Sequence, residues 1–308
     1  MKFQENISLA RFSSYQIGGP ARYFFEAKNI EEIKEALHEA KDKNLKVFIL
    51  GGGTNLLISD RGFDGLALKP NINFLENKGE KIQAGAGVPV SELLNFTIKK
   101  SLSGLEWAGG LPGTVGGAIR GNAGCFKGEM KDSVGNIRSI NVKTRKEKKR
   151  NFRECGFSYR TSIFKKNDGE EIILSATLLL KKGDAKKIKS EIQKNIEYRK
   201  VNHPMEYPSI GSIFKNVATK AVPRVHLASL KDVVKDDPFP IVPAAYLISK
   251  AGLKGISLGG AMVSPKHPNF IVNALNATAS DVGGLIRLVK EEVKKKFGVE
   301  LEEEIIEV

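Results

Sequence analysis

Two glycine-rich stretches carry the clearest chemistry in this sequence. The first is Leu50-Gly-Gly-Gly-Thr-Asn55, placed directly after a short apolar run. Glycine has no Cβ, so backbone N–H groups can come close to an anion there, and Thr54 and Asn55 add side-chain donors. The second runs from Gly109 to Gly124 (GGLPGTVGGAIRGNAG) and holds seven glycines among 16 residues. A segment so costly in conformational entropy is expected to wrap something. Two separated loops of this kind point to an extended diphosphate such as a dinucleotide. A Rossmann phosphate loop fits poorly. Leu56 stands where a third small residue should let helix meet strand, and no acidic residue ends a strand about 20 positions on. No Gly-Lys-Ser/Thr of a Walker loop occurs either. The plainer readings are a turn for the first stretch and a structural Ω-loop for the second.

Other chemistries have little support. Cys125 and Cys155 are too few for a disulfide framework or a structural zinc site, and are expected as reduced thiols in a cytoplasm. The four histidines are scattered, so no metal site is expected. The first 12 residues (MKFQENISLARF) lack the apolar core of a secretory signal. No apolar run approaches the ~20 residues that cross a bilayer, so no membrane partner is expected. The formal net charge of +14 attracts polyanions without choosing among them. The densest basic run, Lys143–Arg153, reads as a solvated hairpin or strand edge. No nucleic-acid-binding motif accompanies it, and no aromatics alternate with its charges.

The elements that must position these loops follow from periodicity. At 308 residues the chain is long enough for two domains or three small ones. Tyr23–Ala27 alternates as a strand. Asn29 starts a helix with Glu32 reaching back, and Ile30, Ile33, Leu37 and Ala40 share its apolar face. Val47–Leu50 is a buried strand, so this unit reads as βαβ with parallel pairing. Leu66–Leu68 and Ile82–Ala86 are further strands. Val90, Leu93, Leu94, Thr97 and Ile98 line a helix begun by Pro89. Residues 104–128 show little periodicity and read as an ordered loop outside the core. Residues 133–180 are mostly β. A polar helix spans about Ala185–Asn202, and the main boundary falls before Pro204. Pro243–Ala251 is a short helix. Ser280–Phe297 is the last one, with Val282, Leu285, Ile286, Val289, Val293 and Phe297 on one face and Gly298 ending it. The class is α+β.

These segments, in this order, resemble the UDP-N-acetylenolpyruvoylglucosamine reductases, the MurB family of cell-wall synthesis. The shared pieces begin with Tyr15-Gln-Ile-Gly-Gly-Pro20, Gly51-Gly-Gly-Thr-Asn55 and Leu111-Pro-Gly-Thr-Val-Gly-Gly-Ala118. They continue with Phe157-Ser-Tyr-Arg160, Pro208-Ser-Ile-Gly-Ser-Ile-Phe-Lys-Asn216 and Ala251-Gly-Leu-Lys-Gly255. Gly259-Gly-Ala-Met-Val-Ser264, His267-x-Asn-Phe270 and Leu301-Glu-Glu-Glu304 complete the series. The resemblance implies an FAD-binding fold of the vanillyl-alcohol-oxidase type with a C-terminal substrate-binding domain. The implied ranges are 1–70 and 71–203 for the two FAD-binding subdomains and 204–308 for the substrate domain. The span between Arg160 and Ser212 is similar to that of the shorter family class, without the tyrosine-loop insertion. Val217 and Glu303 stand where the family often has proline, and Asn202 where some members have lysine.

What the resemblance implies is an NADPH-dependent flavoenzyme with non-covalent FAD. It would reduce the enolpyruvyl ether of UDP-N-acetylglucosamine to UDP-N-acetylmuramate, as a cytoplasmic monomer. Its ligands would be small molecules, not nucleic acid. The implied cofactor contacts are Tyr15, Gly51, Gly52, Gly53, Thr54, Asn55 and Leu56, then Gly109, Gly110, Pro112, Gly113, Thr114, Gly116 and Gly117, and last Asn122, Ala123 and Gly124. Arg160 would meet the substrate carboxylate, because a guanidinium forks onto it with fixed geometry. Ser212 would protonate the α-carbon, with Ser209 as rival. Glu304 would donate a hydrogen bond to the enolate in its protonated form, with Glu302 next in register. Lys215, Asn216, Arg199 and His267 would contact the substrate. A related oxidoreductase of the same FAD superfamily would share the glycine loops without the Arg160, Ser212 and Glu304 set. A basic polyanion-binding module rests on charge alone.

Overall fold

Parallel pairing dominates the first sheet. In the computed structural model, which describes residues 2–308, Phe63–Pro70 lies between Pro20–Ala27 and Val47–Ile49 and runs parallel to both. Gln4–Ser8 adds the outer strand beyond Pro20–Ala27. The helix Ile30–Asp42 crosses between the parallel strands and buries Ile33, Ala36, Leu37 and Ala40. Asn29 caps it by accepting from the Glu32 N–H at 2.9 Å. The Glu32 carboxylate reaches one residue further back than expected, to the Lys28 N–H at 2.6 Å. The strand order is not that of a Rossmann sheet.

A second sheet is wholly antiparallel. Its order is Glu147–Asn151, Val134–Asn141, Glu171–Leu179, Lys81–Gly85 and Leu75–Lys78. The basic run therefore forms an exposed edge strand, as its charge pattern predicts. The helices Val90–Lys100 and Ala185–Asn202 contribute Leu93, Leu94, Ile188 and Ile192 to the core of this part. One expectation fails here. Residues 104–128 are not all loop, because Val115–Arg120 is a helix whose Val115, Ala118 and Ile119 enter the core. Its glycines mask a three-residue apolar face too short to register as a period.

The chain divides into two compact units. The first comprises Met1–Ile7, Ala21–Gly52 and Phe63–Arg199, and the second Ser8–Pro20, Gly53–Gly62 and Lys200–Val308. The division thus falls at 199/200, against an expected 203/204. The second unit also takes in two N-terminal segments, and one unit holds both sheets described above. The core of the second unit gathers around Ala279–Phe297, which buries all six residues of its anticipated stripe. Thr278 and Asp281 form its capping box, and Asp60 accepts from the Ala279 and Ser280 N–H groups at 2.8 and 3.1 Å. Among the described residues no helix is long and apolar enough to cross a membrane.

Candidate active site

The first glycine loop is shaped by close backbone approaches. A Cβ on Gly52 would lie 2.7 Å from Gly113 Cα, so within the first unit the two glycine loops touch main chain to main chain. Gly53, in the second unit, has φ +64°, and a Cβ there would meet Phe12 O at 1.7 Å. Only glycine fits either position. The N–H groups of Gly51, Gly52, Gly53 and Thr54 donate to no backbone acceptor among the described residues. Asn55 is committed elsewhere: its Nδ2 donates to Glu304 O at 3.1 Å and its O accepts from Ile306 N at 3.1 Å. Leu56 is buried in a short parallel pairing with Ile306.

The second loop is anchored at both ends. Gly109 and Gly110 pack against the helix Ala185–Asn202, where a Cβ on Gly109 would lie 2.5 Å from Ile192 O. Arg199 donates through Nε to Gly109 O at 2.9 Å, and its Nη2 lies 2.8 Å from Cys125 Sγ. Pro112 is exposed, and Gly113 accepts from Val90 N at 3.0 Å. At the start of the Val115–Arg120 helix the donors are already engaged. Val115 and Gly116 donate to Val88 O and Ala86 O, and Gly117 to Thr114 Oγ1. Gly116 and Gly117 therefore give clearance rather than free N–H groups. Asn122 is wholly buried: its Nδ2 donates to Glu129 and to Ser158 O, both at 2.9 Å, and its Oδ1 accepts from Lys131 N. Ala123 accepts from Met130 N, and Gly124 O accepts from Arg160 Nη2 at 2.6 Å.

Arg160 sits at the tip of a two-residue turn closed by reciprocal bonds between Ser158 and Thr161. Its φ is +53°, a left-handed conformation that costs a non-glycine residue about 1–3 kcal/mol. The turn holds because Asn122 grips Ser158 O and the guanidinium reaches Gly124 O while lying over Tyr159. The strain, the half-buried guanidinium and the second glycine loop are thus parts of one arrangement.

The second unit brings the other expected residues together. Gly211, with φ +85°, turns the chain so that Ser212 stays half-buried while Ile213 and Phe214 enter the core. The following residues pair antiparallel with the acidic tail: Glu304 N donates to Ile213 O and Lys215 N to Glu302 O, each at 2.8 Å. The three glutamates then separate. Glu302 pairs with Lys215, and Glu303 reaches Lys290 at 2.8 Å. Glu304 has its backbone held by Ile213 and Asn55. Asn216 Oδ1 accepts from Ala244 N at 3.2 Å and so braces the helix Ala244–Lys250. His267 packs edge-on against His203 and Phe270, and its buried Nδ1 has no hydrogen-bond partner among the described residues. Burial, with a smaller push from Lys235, lowers its pKa, so the ring favours the neutral form.

The Tyr15 side chain is fully enclosed, and its hydroxyl donates to Ile271 O at 2.7 Å. Burial raises its pKa far above the usual phenol value. It ties the second unit's core. One residue escaped the sequence reading. Asn269 is buried and makes three bonds to the Ser212 segment, with Ile213 N, Phe214 N and Phe214 O. Its signal was the polar residue of the His267-x-Asn-Phe270 motif, between a proline and a phenylalanine.

Within the first unit, Gly51, Thr114, Gly116, Gly117 and Arg120 line an open cleft. A Cβ on Gly51 would project toward Thr114 Oγ1 and Gly117 Cα at 3.6 and 4.0 Å, into this space. Gly51 lines this cleft and its N–H donates to no backbone acceptor among the described residues, which suits a pyrophosphate flanked by aromatic groups, so the residues present fit FAD. Among the described residues no group of three or more His, Cys, Asp or Glu side chains could hold a metal. Cys155 is buried, which pushes its thiol up to about 11.

Comparison with known proteins agrees with this geometry. Residues 21–148 match the FAD binding domain model, and residues 203–308 match the model of the UDP-N-acetylenolpyruvoylglucosamine reductase C-terminal domain. The UDP-N-acetylenolpyruvoylglucosamine reductase of Carboxydothermus hydrogenoformans is 39% identical over 300 residues, covering 96% of this chain and 91% of the relative. That of Halalkalibacterium halodurans is 37% identical over 311 residues, covering 97% and 92%. The crystal structure of the Thermus caldophilus reductase superposes with a TM-score of 0.78 at 29% identity, covering 100% of this chain and 99% of the other. With such identity sustained over nearly the whole length of both chains, this chain belongs to the UDP-N-acetylenolpyruvoylglucosamine reductase (MurB) family.

Proposed function

We propose that this chain reduces the enolpyruvyl ether of UDP-N-acetylglucosamine to UDP-N-acetylmuramate, using FAD and NADPH, in the cytoplasmic supply of peptidoglycan precursors. The full-length similarity to reductases of that name carries this reading. FAD, when bound, would supply the redox chemistry of hydride transfer between NADPH and the substrate. Within the first unit Gly51 and Gly52 would give it N–H donors and close approach, and Gly116 and Gly117 room.

The residues of the chain do the rest. Addition of hydride to the β-carbon of an α,β-unsaturated carboxylate leaves negative charge on the α-carbon and the carboxylate. Arg160 holds the carboxylate with a fixed fork of donors, prearranged by its bond to Gly124 O. Ser212 gives its hydroxyl proton to the α-carbon, forming a C–H bond. Glu304 is the third group that would act at the developing enolate. Among the tail glutamates Glu302 is ion-paired to Lys215 and Glu303 to Lys290. In this reading Lys215, Asn216 and His267 would contact the substrate, as would Arg199.

Purified protein should be yellow, with flavin absorbance. It should oxidise NADPH only when the enolpyruvyl substrate is present, giving one product per NADPH. Flavin-bound protein without that turnover would place the chain with another reaction of the same FAD fold.

A further inference from the structure

The cleft of the first unit extends beyond the glycines. Ile49 and Pro70 contribute from the ends of the parallel strands, and Phe164, Ile172 and Ile173 from the antiparallel side. This is an apolar slot suited to a flat heteroaromatic ring. Its charged lining is Arg120, Asp168 and Glu171. Glu171 is committed, because it accepts from Arg150 Nε at 3.2 Å and from Ser139 Oγ at 2.6 Å.

Arg120 and Asp168 are different. Arg120 ends the glycine-loop helix, and Ser162 Oγ donates to its carbonyl at 2.7 Å. Asp168 lies on the turn before the strand Glu171–Leu179, followed by Gly169 at φ +74°. Arg120 Nη2 lies 2.6 Å from Asp168 Oδ1, with the side chains 24% and 61% exposed. The pair links the glycine-loop helix to the turn on the other side of the slot. An ion pair this exposed is worth about 0–1 kcal/mol on its own, so its members can take new partners at little cost. A guanidinium stacks on an aromatic face, and a carboxylate accepts from an amine or a hydroxyl.

We propose that Arg120 and Asp168 recognise the adenosine half of FAD in this slot and thereby set the preference for FAD over FMN. The inference rests on the FAD reading given above. Adenosine also occurs in NADPH, but there it carries an additional phosphate. Whether the slot takes that form of adenosine is read from the KM for NADPH.

The test uses the full-length protein stripped of flavin and titrated with FAD or FMN, following flavin fluorescence. Asp168→Asn and Arg120→Met should each weaken FAD binding by about tenfold, the loss of one charged contact. FMN binding should stay within about twofold, since FMN has no adenosine. The double variant should be little worse than either single one, because the two side chains act as a unit. In the reconstituted enzyme, the KM for NADPH should not move. Equal losses for FAD and FMN, unchanged FAD binding, or a rise only in the NADPH KM would overturn the assignment. Asp168 is on an exposed turn, so Asp168→Asn decides the matter even if Arg120→Met folds poorly. Wild-type protein that binds neither flavin would instead overturn the FAD reading itself.

Discussion

The side-chain amide of Asn55 donates to the main-chain carbonyl of Glu304 at 3.1 Å. One residue of the first glycine loop therefore helps set the position of the tail glutamate proposed to act on the substrate. Ile306 N bonds back to Asn55 O, so the clamp is reciprocal. Asn55→Ala removes the side-chain half and keeps the backbone half. The net loss should be about 1 kcal/mol, enough to lower Tm by a few degrees. Reduction of the flavin by NADPH should be nearly normal. Its reoxidation by the enolpyruvyl substrate should slow by about tenfold, because Glu304 is less well placed. Stopped-flow absorbance of the two half-reactions checks this. Equal slowing of both halves would mean that Asn55 serves the cofactor alone.

Arg160→Lys should not be conservative. Arg160 already spends one arm on Gly124 O, and that bond sets the plane of the fork. Lysine keeps the charge but cannot hold the carbonyl and a carboxylate in fixed relative geometry. Flavin content should be unchanged, and reoxidation by substrate should slow by about 10²-fold. Loss of FAD or of the folded state in this variant would make Arg160 a structural residue.

Acid should weaken the antiparallel sheet through Glu171. Burial alone would raise its pKa, but bonds from Arg150 and Ser139 bring the net value below the usual carboxylate range. A carboxyl with a depressed folded pKa adds stability above its unfolded pKa, ~4.3 for Glu, and loses it as pH falls through the folded value. Glu171→Gln leaves a largely buried Arg150 without its counter-charge, costing about 3 kcal/mol near neutrality. Melting curves from pH 7 to pH 3 should show that gap closing below ~4.3. A gap independent of pH would remove Glu171 from the acid response.

The long helices were legible because each must bury a stripe at a 3.6-residue period. Ile33, Leu37 and Ala40 of the first helix, and all six stripe residues of the last, are buried. The two glycine loops were legible because their composition is too costly to be incidental. What escaped the reading depends on distant partners. The hydroxyl of Tyr15 reaches Ile271 O, 256 positions away, a bond no local pattern announces. Asn269 and the Ser212 segment meet only through tertiary structure. Residues 8–20 and 53–62 join the second unit although nothing local in their pattern says so. Asn122 holds Glu129, Lys131 and Ser158 together through side-chain bonds to partners 7, 9 and 36 positions away.

Ser212→Ala is the sharpest test of the proposed chemistry. NADPH reduces the flavin without any proton donor over a substrate carbon, so that half should survive. Hydride addition to the β-carbon leaves an α-carbanion, and only this half needs the Ser212 hydroxyl. Alanine fits the half-buried position, while Gly211 and Asn269 still set the backbone on either side. Reoxidation by substrate should therefore slow by the ~10²–10⁴-fold typical of a lost general acid. Ser209→Ala is the matched control, since Ser209 is equally half-buried three residues earlier. It should remain within a few-fold of wild type. A stopped-flow trace of flavin absorbance reads both halves in one cuvette. Normal reoxidation by Ser212→Ala, or a crippled Ser209→Ala, would move the proton donor elsewhere while leaving the family membership intact.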